Sequence, residues 1–239
     1  MTDPSPIVHI QLDGPGKNAL GTPMFQWLIA QIDAAAGRPI LLSGRNGAFS
    51  AGLDLKEVMS LDGAGMTRFL SLLEQACVRL HDHPAPVVAA VTGHAIAGGA
   101  VLAACCDHRV GEAGGKARIG LNEVALGLRF PPGVLRILIA RLPAQTIGRL
   151  LLGAELHSPE DALKYGLLDD LAPDPIAAAE AHLRRLAQHP PAAYTATKAA
   201  LRAGVTEPRP GEAASFLADV VPVWTSEELH ARLRAALKR

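Results

Sequence analysis

The sequence predicts an α/β fold: a buried, mainly parallel sheet wrapped by helices, followed by a purely helical region. Three observations carry that prediction. Short apolar runs such as "PILLSG" and "PVVAAVTG" alternate with longer stretches whose apolar residues recur at helical spacing. Those runs are apolar throughout rather than at every second residue, the pattern of strands covered on both faces. After Pro190-Pro191 the helical pattern continues but strand signals stop. The chain therefore divides into a mixed α/β core over 1–190 and a helical tail over 191–239.

Each element has its basis in its own residues. "IVHIQLDGPG" alternates and then halts at Gly and Pro, a strand running into a turn. "TPMFQWLIAQIDAAAG" reads as a helix with Thr22 as cap, Pro23 just inside and Gly37 past the end. "PILLSG" is a buried strand, and "RNGAFSAGLDLKEV" a glycine-containing loop. From Met66 to Leu80, apolar positions 66, 69, 70, 73, 76, 77 and 80 mark one helical face. "PVVAAVTG" is a strand, and "HAIAGGAVLAACC" a turn feeding a buried helix. "DHRVG" and "ARIGL" are short strands; "PGVLRILIARL" and "QTIGRLLLG" are helices. In "SPEDALKYGLLDDL", Ser158 caps a helix, Pro159 occupies its first position and Gly166 closes it. In the tail, Thr225 with Glu228 three residues on predicts a capping box for the last helix.

Composition narrows the function. At 239 residues, 49% hydrophobic and 19% charged, the chain is globular and long enough for a sizeable core. Lys plus Arg, 23, equals Asp plus Glu, 23, so no basic excess marks a nucleic-acid groove. Cys77, Cys105 and Cys106 lack metal-ligand spacing and read as buried, reduced thiols. The opening "MTDPSPIVHIQLDGPG" has neither the basic start nor the apolar run of a signal peptide, and no apolar segment is long enough to span a bilayer. The expected location is the cytoplasm, with no membrane partner.

The chemistry centres on one residue. Glu123 stands alone among apolar residues and glycines in "ARIGLNEVALGLRFPPG", residues 117–133. Carboxylates are rarely buried without a partner or a task. Upstream, "FSAGLDL" (49–55) and "AIAGGAV" (95–101) each place glycine where the chain leaves a strand and turns. Glycine lets a ligand approach the backbone closely. Gly98-Gly99 also opens a helix, whose first N–H groups have no partners within it. Two such loops aimed at one carbonyl oxygen would stabilise an enolate.

These motifs give the chain a family resemblance. "GAFSAGLDLKE", "GHAIAGGAVLAACCDHRV", "IGLNEVALGL" and "SPEDALKYGLLDDL" occur in the order and at the spacing of the crotonase, or enoyl-CoA hydratase/isomerase, superfamily. The resemblance extends to "HPPAAYTATKAALRAG" in the tail. It implies a crotonase-like spiral of ββα units with a C-terminal helical trimerisation region, assembled as a homotrimer or a dimer of trimers. It implies an acyl-CoA substrate, with coenzyme A part of that substrate and no separate cofactor or metal. The backbone N–H groups of Leu53 and Gly98 would form the oxyanion hole. Ala51, Gly52, Leu53, Asp54, Leu55, Gly98 and Asn122 would contact the acyl-CoA, and Glu123 would be catalytic. Lys56 is a candidate for a CoA phosphate, or else a solvated lysine.

The resemblance also locates a departure. Family hydratases place one glutamate in the helix after the glycine turn and another on the later loop. Here the first position is Val101 and only the second, Glu123, is acidic. Adding water takes two proton-handling groups, whereas moving a double bond from C3 to C2 takes one base that removes a proton at C2 and returns it at C4. "FSAGLDL", "AGG" without a following Glu, and "IGLNEVALG" most resemble the Δ3,Δ2-enoyl-CoA isomerases. Enclosure by Ile119, Leu121, Val124 and Leu126 should raise the Glu123 pKa. The competing readings are another acyl-CoA enzyme of the superfamily (a hydratase, thioester hydrolase or lyase, with Asp54 or His94 aimed inward) and a non-catalytic acyl-CoA-binding homologue. For Glu123 the structural alternative is an ion pair with Arg129 or Arg118. Asp54 reads as a cap, His94 as a turn residue, and His108 and Arg109 as anchors of strands or subunits.

Overall fold

Eight strands divide between two parallel sheets in the computed structural model, which describes residues 6–238. Residues 1–5, the start of the stretch read against a signal peptide, and Arg239 lie outside the described residues. The chain begins with β1 (Val8–Leu12), a short irregular α1 (Pro15–Asn18) and α2 (Thr22–Ala35). It then runs three times through one course: a strand in the large sheet, a strand in the small sheet, and helix. The first turn is β2 (Ile40–Gly44), β3 (Ala48–Ser50), α3 (Leu55–Val58) and α4 (Gly63–His81). The second is β4 (Val87–Val91), β5 (His94–Ile96) and α5 (Gly98–Cys105). The third is β6 (His108–Glu112), β7 (Ile119–Gly120), α6 (Glu123–Leu126) and α7 (Pro132–Arg141). After α8 (Ile147–Gly153), α9 (Pro159–Tyr165) and β8 (Asp170–Ala172) come only helices: α10 (Pro175–Ala187), α11 (Pro191–Arg202), α12 (Glu212–Trp224) and α13 (Glu227–Leu237).

The result is the crotonase spiral. The large sheet has the order β1-β2-β4-β6-β8 and the small one β3-β5-β7. All pairings are parallel because a helical crossover returns the chain in the same direction on every turn. Both faces of the large sheet are covered, as its unbroken apolar runs predict. Leu41, Val88, Ala90 and Val110 meet Ala179 and Leu183 of α10. Ile40, Leu42, Val87, Ala89 and Val91 face the main core with α2, α4 and α5. Every one of the seven apolar positions expected on one face of α4 is buried.

The C-terminal helices join that main core. α12 packs on α4 and α7, and α13 on α6; Phe216, Val220, Trp224, Leu229 and Leu233 share the cluster with the sheet residues. α11 is tied to the spiral by charge. Asp107, between α5 and β6, takes Lys198 Nζ at 2.7 Å and Arg202 Nη2 at 2.5 Å. His108 and Arg109 do anchor strands, through His108 Nε2 to Asp170 (2.8 Å) and a two-pronged contact of Arg109 with Asp169. The three cysteines are buried and form no disulfide. No helix among the described residues is long and apolar enough to cross a membrane.

Several local expectations need correction. "HAIAGG" is not all turn, since His94–Ile96 pair with β3 and β7. The "RNGAFSAGLDLKEV" loop likewise contains β3 and α3. Thr22 is the first residue of α2 rather than its cap; Gly21 holds the cap position, and the Glu57 carboxylate accepts from the Thr22 N–H at 2.9 Å. A side chain 35 residues away does what the local sequence assigns to threonine. At the other end Ala36, before Gly37, takes the left-handed cap at φ 50°. For α13 the cap is Ser226, whose hydroxyl accepts from Leu229 N–H, not Thr225. Ser158, Pro159 and Gly166 frame α9 as expected.

Candidate active site

The small sheet assembles the site. Its three strands are parallel, so β3, β5 and β7 end at one edge, about 4.8 Å apart from neighbour to neighbour. The Ala51–Leu55 loop leaves the end of β3, Ala97-Gly98 the end of β5, and Leu121-Asn122-Glu123 the end of β7. Three stretches distant in sequence therefore converge at the carboxyl ends of adjacent parallel strands, where open α/β folds collect their ligands.

Two amides at that edge are left unused. Leu53 lies opposite Leu20 in an isolated parallel bridge. Gly52 C=O accepts from Leu20 N–H (2.8 Å), and Asp54 N–H donates to Leu20 C=O (3.0 Å). Because backbone groups alternate along an extended chain, the intervening Leu53 N–H points away from Leu20. Gly98 opens α5, where the first N–H groups lack helical acceptors. Among the described residues neither the Leu53 nor the Gly98 N–H has a backbone acceptor outside the regular elements. The two stretches touch. A Cβ built on Gly52, at φ 90°, would lie 2.7 Å from Ile96 O and 3.3 Å from Gly98 N. Only glycine permits both that conformation and that approach.

Residues absent from the sequence expectation hold these amides in place. Ala97 has φ 49° and ψ −121°, a conformation L-residues avoid at about 1–3 kcal/mol. It is pinned on both sides: its N–H donates to Gly120 O (2.8 Å) and its C=O accepts from Val101 N–H (2.9 Å). On the other loop, buried Ser50 donates to Asn18 O (2.8 Å) and accepts from Gly52 N–H (3.1 Å). Asn18, also fully buried, donates from its amide to Arg45 O and Ala48 O, both at 2.9 Å. An alanine at a turn carries no sequence signal of strain. Asn18, in "GPGKNAL", offers one, since asparagine tolerates the positive φ of 57° found there.

Glu123 begins the one-turn helix α6 and is 6% exposed. Its Oε2 is buried without a partner. Burial pushes the carboxyl up to about 8, against the opposing effect of a hydrogen bond from its own backbone N–H. No ion pair among the described residues includes it; Arg129 contacts Asp219 at 3.8 Å instead. Ile119 and Leu121 are buried beside it in sequence, but Val124 is 46% exposed and Leu126 only partly covered, so the enclosure is one-sided in its local origin. Asn122 precedes it, with Oδ1 also buried and unpartnered. Val101, on the first full turn of α5, is 2% exposed and brings no proton-transfer group.

The remaining expected residues divide. Asp54 caps α3, accepting from Lys56 N–H (3.0 Å) and Glu57 N–H (3.2 Å), so its carboxylate is engaged locally. His94 Nδ1 accepts from Arg118 N–H at 3.1 Å, within the strand edge. Ala51 and Lys56 are exposed and Leu55 is half-buried. Residues of α4 and "LRFPPG" meet around a cavity of about 460 Å³ lined by Leu70, Glu74, Pro131, Pro132 and Phe216; Glu123 is not among its walls.

Comparison with known proteins places this edge in context. The chain is 36% identical over 135 residues to the mouse mitochondrial enoyl-CoA delta isomerase 1, covering 56% of this chain and 47% of that protein. It thus spans about half the length of that relative. It is 32% identical over 203 residues to a probable enoyl-CoA hydratase, EchA17, of Mycobacterium bovis, covering 82% and 76% respectively. The human mitochondrial delta3-delta2-enoyl-CoA isomerase superposes with a TM-score of 0.90 over 98% of this chain and 93% of that one, at 23% identity, a likeness of fold. The family model for enoyl-CoA hydratase/isomerase matches residues 2–221, from before β1 to within α12 and so through the whole converging edge. By fold, by motif order and by that match, the chain belongs to the enoyl-CoA hydratase/isomerase, or crotonase, family.

Proposed function

We propose that the protein is an acyl-CoA isomerase that shifts a double bond from C3 to C2 of an enoyl-CoA thioester. The observation that carries this reading is a single buried carboxylate, Glu123, with an unpartnered oxygen, at the strand edge shared by two amides with no backbone acceptor. The thioester oxygen sits between Leu53 N–H and Gly98 N–H. Glu123 takes a C2 proton, the electron pair spreads over the dienolate, and the same carboxyl returns the proton at C4. The C3–C4 pair becomes a C2–C3 pair with no net change of atoms, so no separate cofactor or metal enters the step. The amides oppose the charge that develops on oxygen; one lost donor of this kind typically costs about 3–4 kcal/mol. A base matched near pH 8 suits a shuttle, because it both accepts and releases its proton readily.

Ala51 to Leu55 and Asn122 line the acyl-CoA path, and Lys56 is free to meet a CoA phosphate. Residues 191–239 carry assembly as a homotrimer or a dimer of trimers. A hydratase is the second reading, because a probable hydratase is as similar to this chain as an isomerase is. It would require a second acid or base, and Val101 supplies none. Incubation of the purified protein with 3-enoyl-CoA and, separately, with 2-enoyl-CoA decides between them. The isomerase converts the first to 2-enoyl-CoA and leaves the second without water added. Robust 3-hydroxyacyl-CoA formation overturns it, as does failure to turn over either substrate.

A further inference from the structure

On the face of the large sheet that α10 covers, three side chains of metal-ligating type meet from distant stretches. His108 is the first residue of β6, Asp170 the first of β8, and His182 lies on α10, which packs over both strands. Strand alternation puts His108 on the same face as Val110, a residue that α10 buries. One ligating atom from each, two imidazole nitrogens and a carboxylate oxygen, lies within 4.8 Å of the other two. His108 Nε2 meets Asp170 Oδ2 at 2.8 Å. Two ligands of one zinc ion, each about 2.0–2.2 Å from it, stand roughly 3.0–3.5 Å apart. An ion can therefore take the place of the proton between these two with little movement.

The other side of His108 is supported as well. Its Nδ1 faces Asp169 Oδ2 at 3.9 Å. Asp169 is itself held: Arg109 Nε and Nη2 donate to its two oxygens at 2.8 and 2.7 Å, and Arg109 N–H donates at 2.9 Å. A carboxylate behind the outer nitrogen of a histidine fixes the tautomer and makes the inner nitrogen a better ligand. With Nδ1 turned to a fixed carboxylate, Nε2 is the nitrogen that faces Asp170.

His182 must move to join them. The His108 and His182 rings are stacked, with centroids 3.7 Å apart and planes at 13°. A metal lies in the plane of each ring that binds it, so His182 turns out of the stack. Its Nδ1 also accepts from Arg185 Nη2 at 3.0 Å. A neutral imidazole has one lone-pair nitrogen, so a ligating His182 gives up that bond. His182 is half-buried and Arg185 exposed, which leaves both side chains room at the surface.

We propose that His108, Asp170 and His182 bind one divalent transition ion of the zinc class, with Asp169 supporting His108 from behind. Two imidazoles and a carboxylate suit such an ion better than magnesium or calcium, which take oxygen ligands. Bound there, the ion ties the starts of β6 and β8 to α10. The site shares no residue with the acyl-CoA reading, and its test uses no turnover, so neither stands or falls with the other.

Calorimetric titration of the chelator-treated full chain with zinc chloride, and separately with magnesium chloride, tests the site. Zinc should bind once per chain and raise the melting temperature, as a ligand of the folded state does. His182→Gln leaves the His108–Asp170 contact in place; it and Asp170→Asn should each weaken zinc at least tenfold and abolish the rise in melting temperature. His189→Gln, at an exposed histidine just past α10, should change neither. Arg185→Gln removes the competitor for His182 Nδ1 and should leave zinc bound as tightly or more so. No saturable zinc binding, binding undiminished in His182→Gln, or magnesium bound as tightly as zinc overturns the site. A tenfold loss in Arg185→Gln overturns His182 as a ligand.

Discussion

Replacing Glu123 by Gln should make the protein more stable at neutral pH while removing its turnover, and the structure sets the size of both effects. In the unfolded chain Glu123 loses its proton near 4.5; in the folded chain burial holds the proton until about 8. Between those values the folded state carries the extra proton, so stability falls as pH rises through the window and levels off above it. Each pH unit is worth roughly 1.4 kcal/mol, which makes the penalty about 3 kcal/mol at pH 7 and about 5 kcal/mol above pH 8. Glutamine stays neutral throughout. The Glu123→Gln protein should therefore match the wild type near pH 4.5 and exceed it progressively toward pH 8.

Activity should move the opposite way. On the proposed mechanism the base form of Glu123 starts the reaction, so wild-type kcat/KM should rise about tenfold per unit below pH 8 and flatten above it. The Gln variant should lose about 10²–10⁴-fold in turnover while retaining acyl-CoA affinity, since no second base is at hand. One preparation of each protein suffices: denaturant melts at pH 4.5, 7 and 8.5, turnover of a 3-enoyl-CoA over the same range, and acyl-CoA binding. A structural ion pair predicts the reverse, a Gln variant that is less stable at neutral pH and still active. Near-wild-type isomerisation by Glu123→Gln would remove the central residue from the mechanism, and a stability difference that does not grow with pH would refute the buried-proton argument.

The geometry predicts three further outcomes. Gly98→Pro deletes the proposed donor and should cost about 10²–10³-fold in kcat, whereas Gly98→Ala, whose Cβ meets the tips of Leu53 and Leu20 at 3.2 and 3.3 Å and the Gly52 Cα at an ordinary 3.7 Å, should stay within a few-fold; equal rates in the two folded variants would sink the oxyanion assignment. Val101→Glu places a carboxylate where the site is 2% exposed and should destabilise by a few kcal/mol in a denaturant melt, with no more than a trace of water addition to 2-enoyl-CoA. Asp107→Asn strips the charge partner from Lys198 and Arg202, which are 8% and 10% exposed, and should lower stability by about 3–5 kcal/mol; an unchanged melting temperature would show that α11 is held by packing alone.

How far the sequence reveals this site depends on whether the signal is local. Glu123 is legible because an isolated acid in an apolar run is conspicuous, and Gly98 because a helix-opening glycine pair is. The strands β3 and β5 are harder. At three residues each they are too short for a periodic pattern, and they exist because the small sheet closes around them. The Thr22 cap misleads for a similar reason: Glu57 reaches the same amide from another turn of the spiral, a contact no local motif announces. Ser226 outcompetes Thr225 one residue away, a shift no larger than the fraying of an ordinary helix end.

The least legible element is also the one that gives the proposed oxyanion loops their shape. Ala97 holds a left-handed φ that its sequence gives no hint of, and it does so between a bond to Gly120 in β7 and a bond from Val101 in α5. The bond to Gly120 fastens the turn before Gly98 to the strand that leads into Glu123. The amide and the carboxylate are thus set relative to each other by one rigid backbone linkage, with no mobile side chain between them. A site built this way tolerates wide variation in the flanking side chains as long as the small sheet keeps its register. On the proposed reading its chemistry therefore turns on few side-chain identities: the acid at 123, and the absence of one at 101.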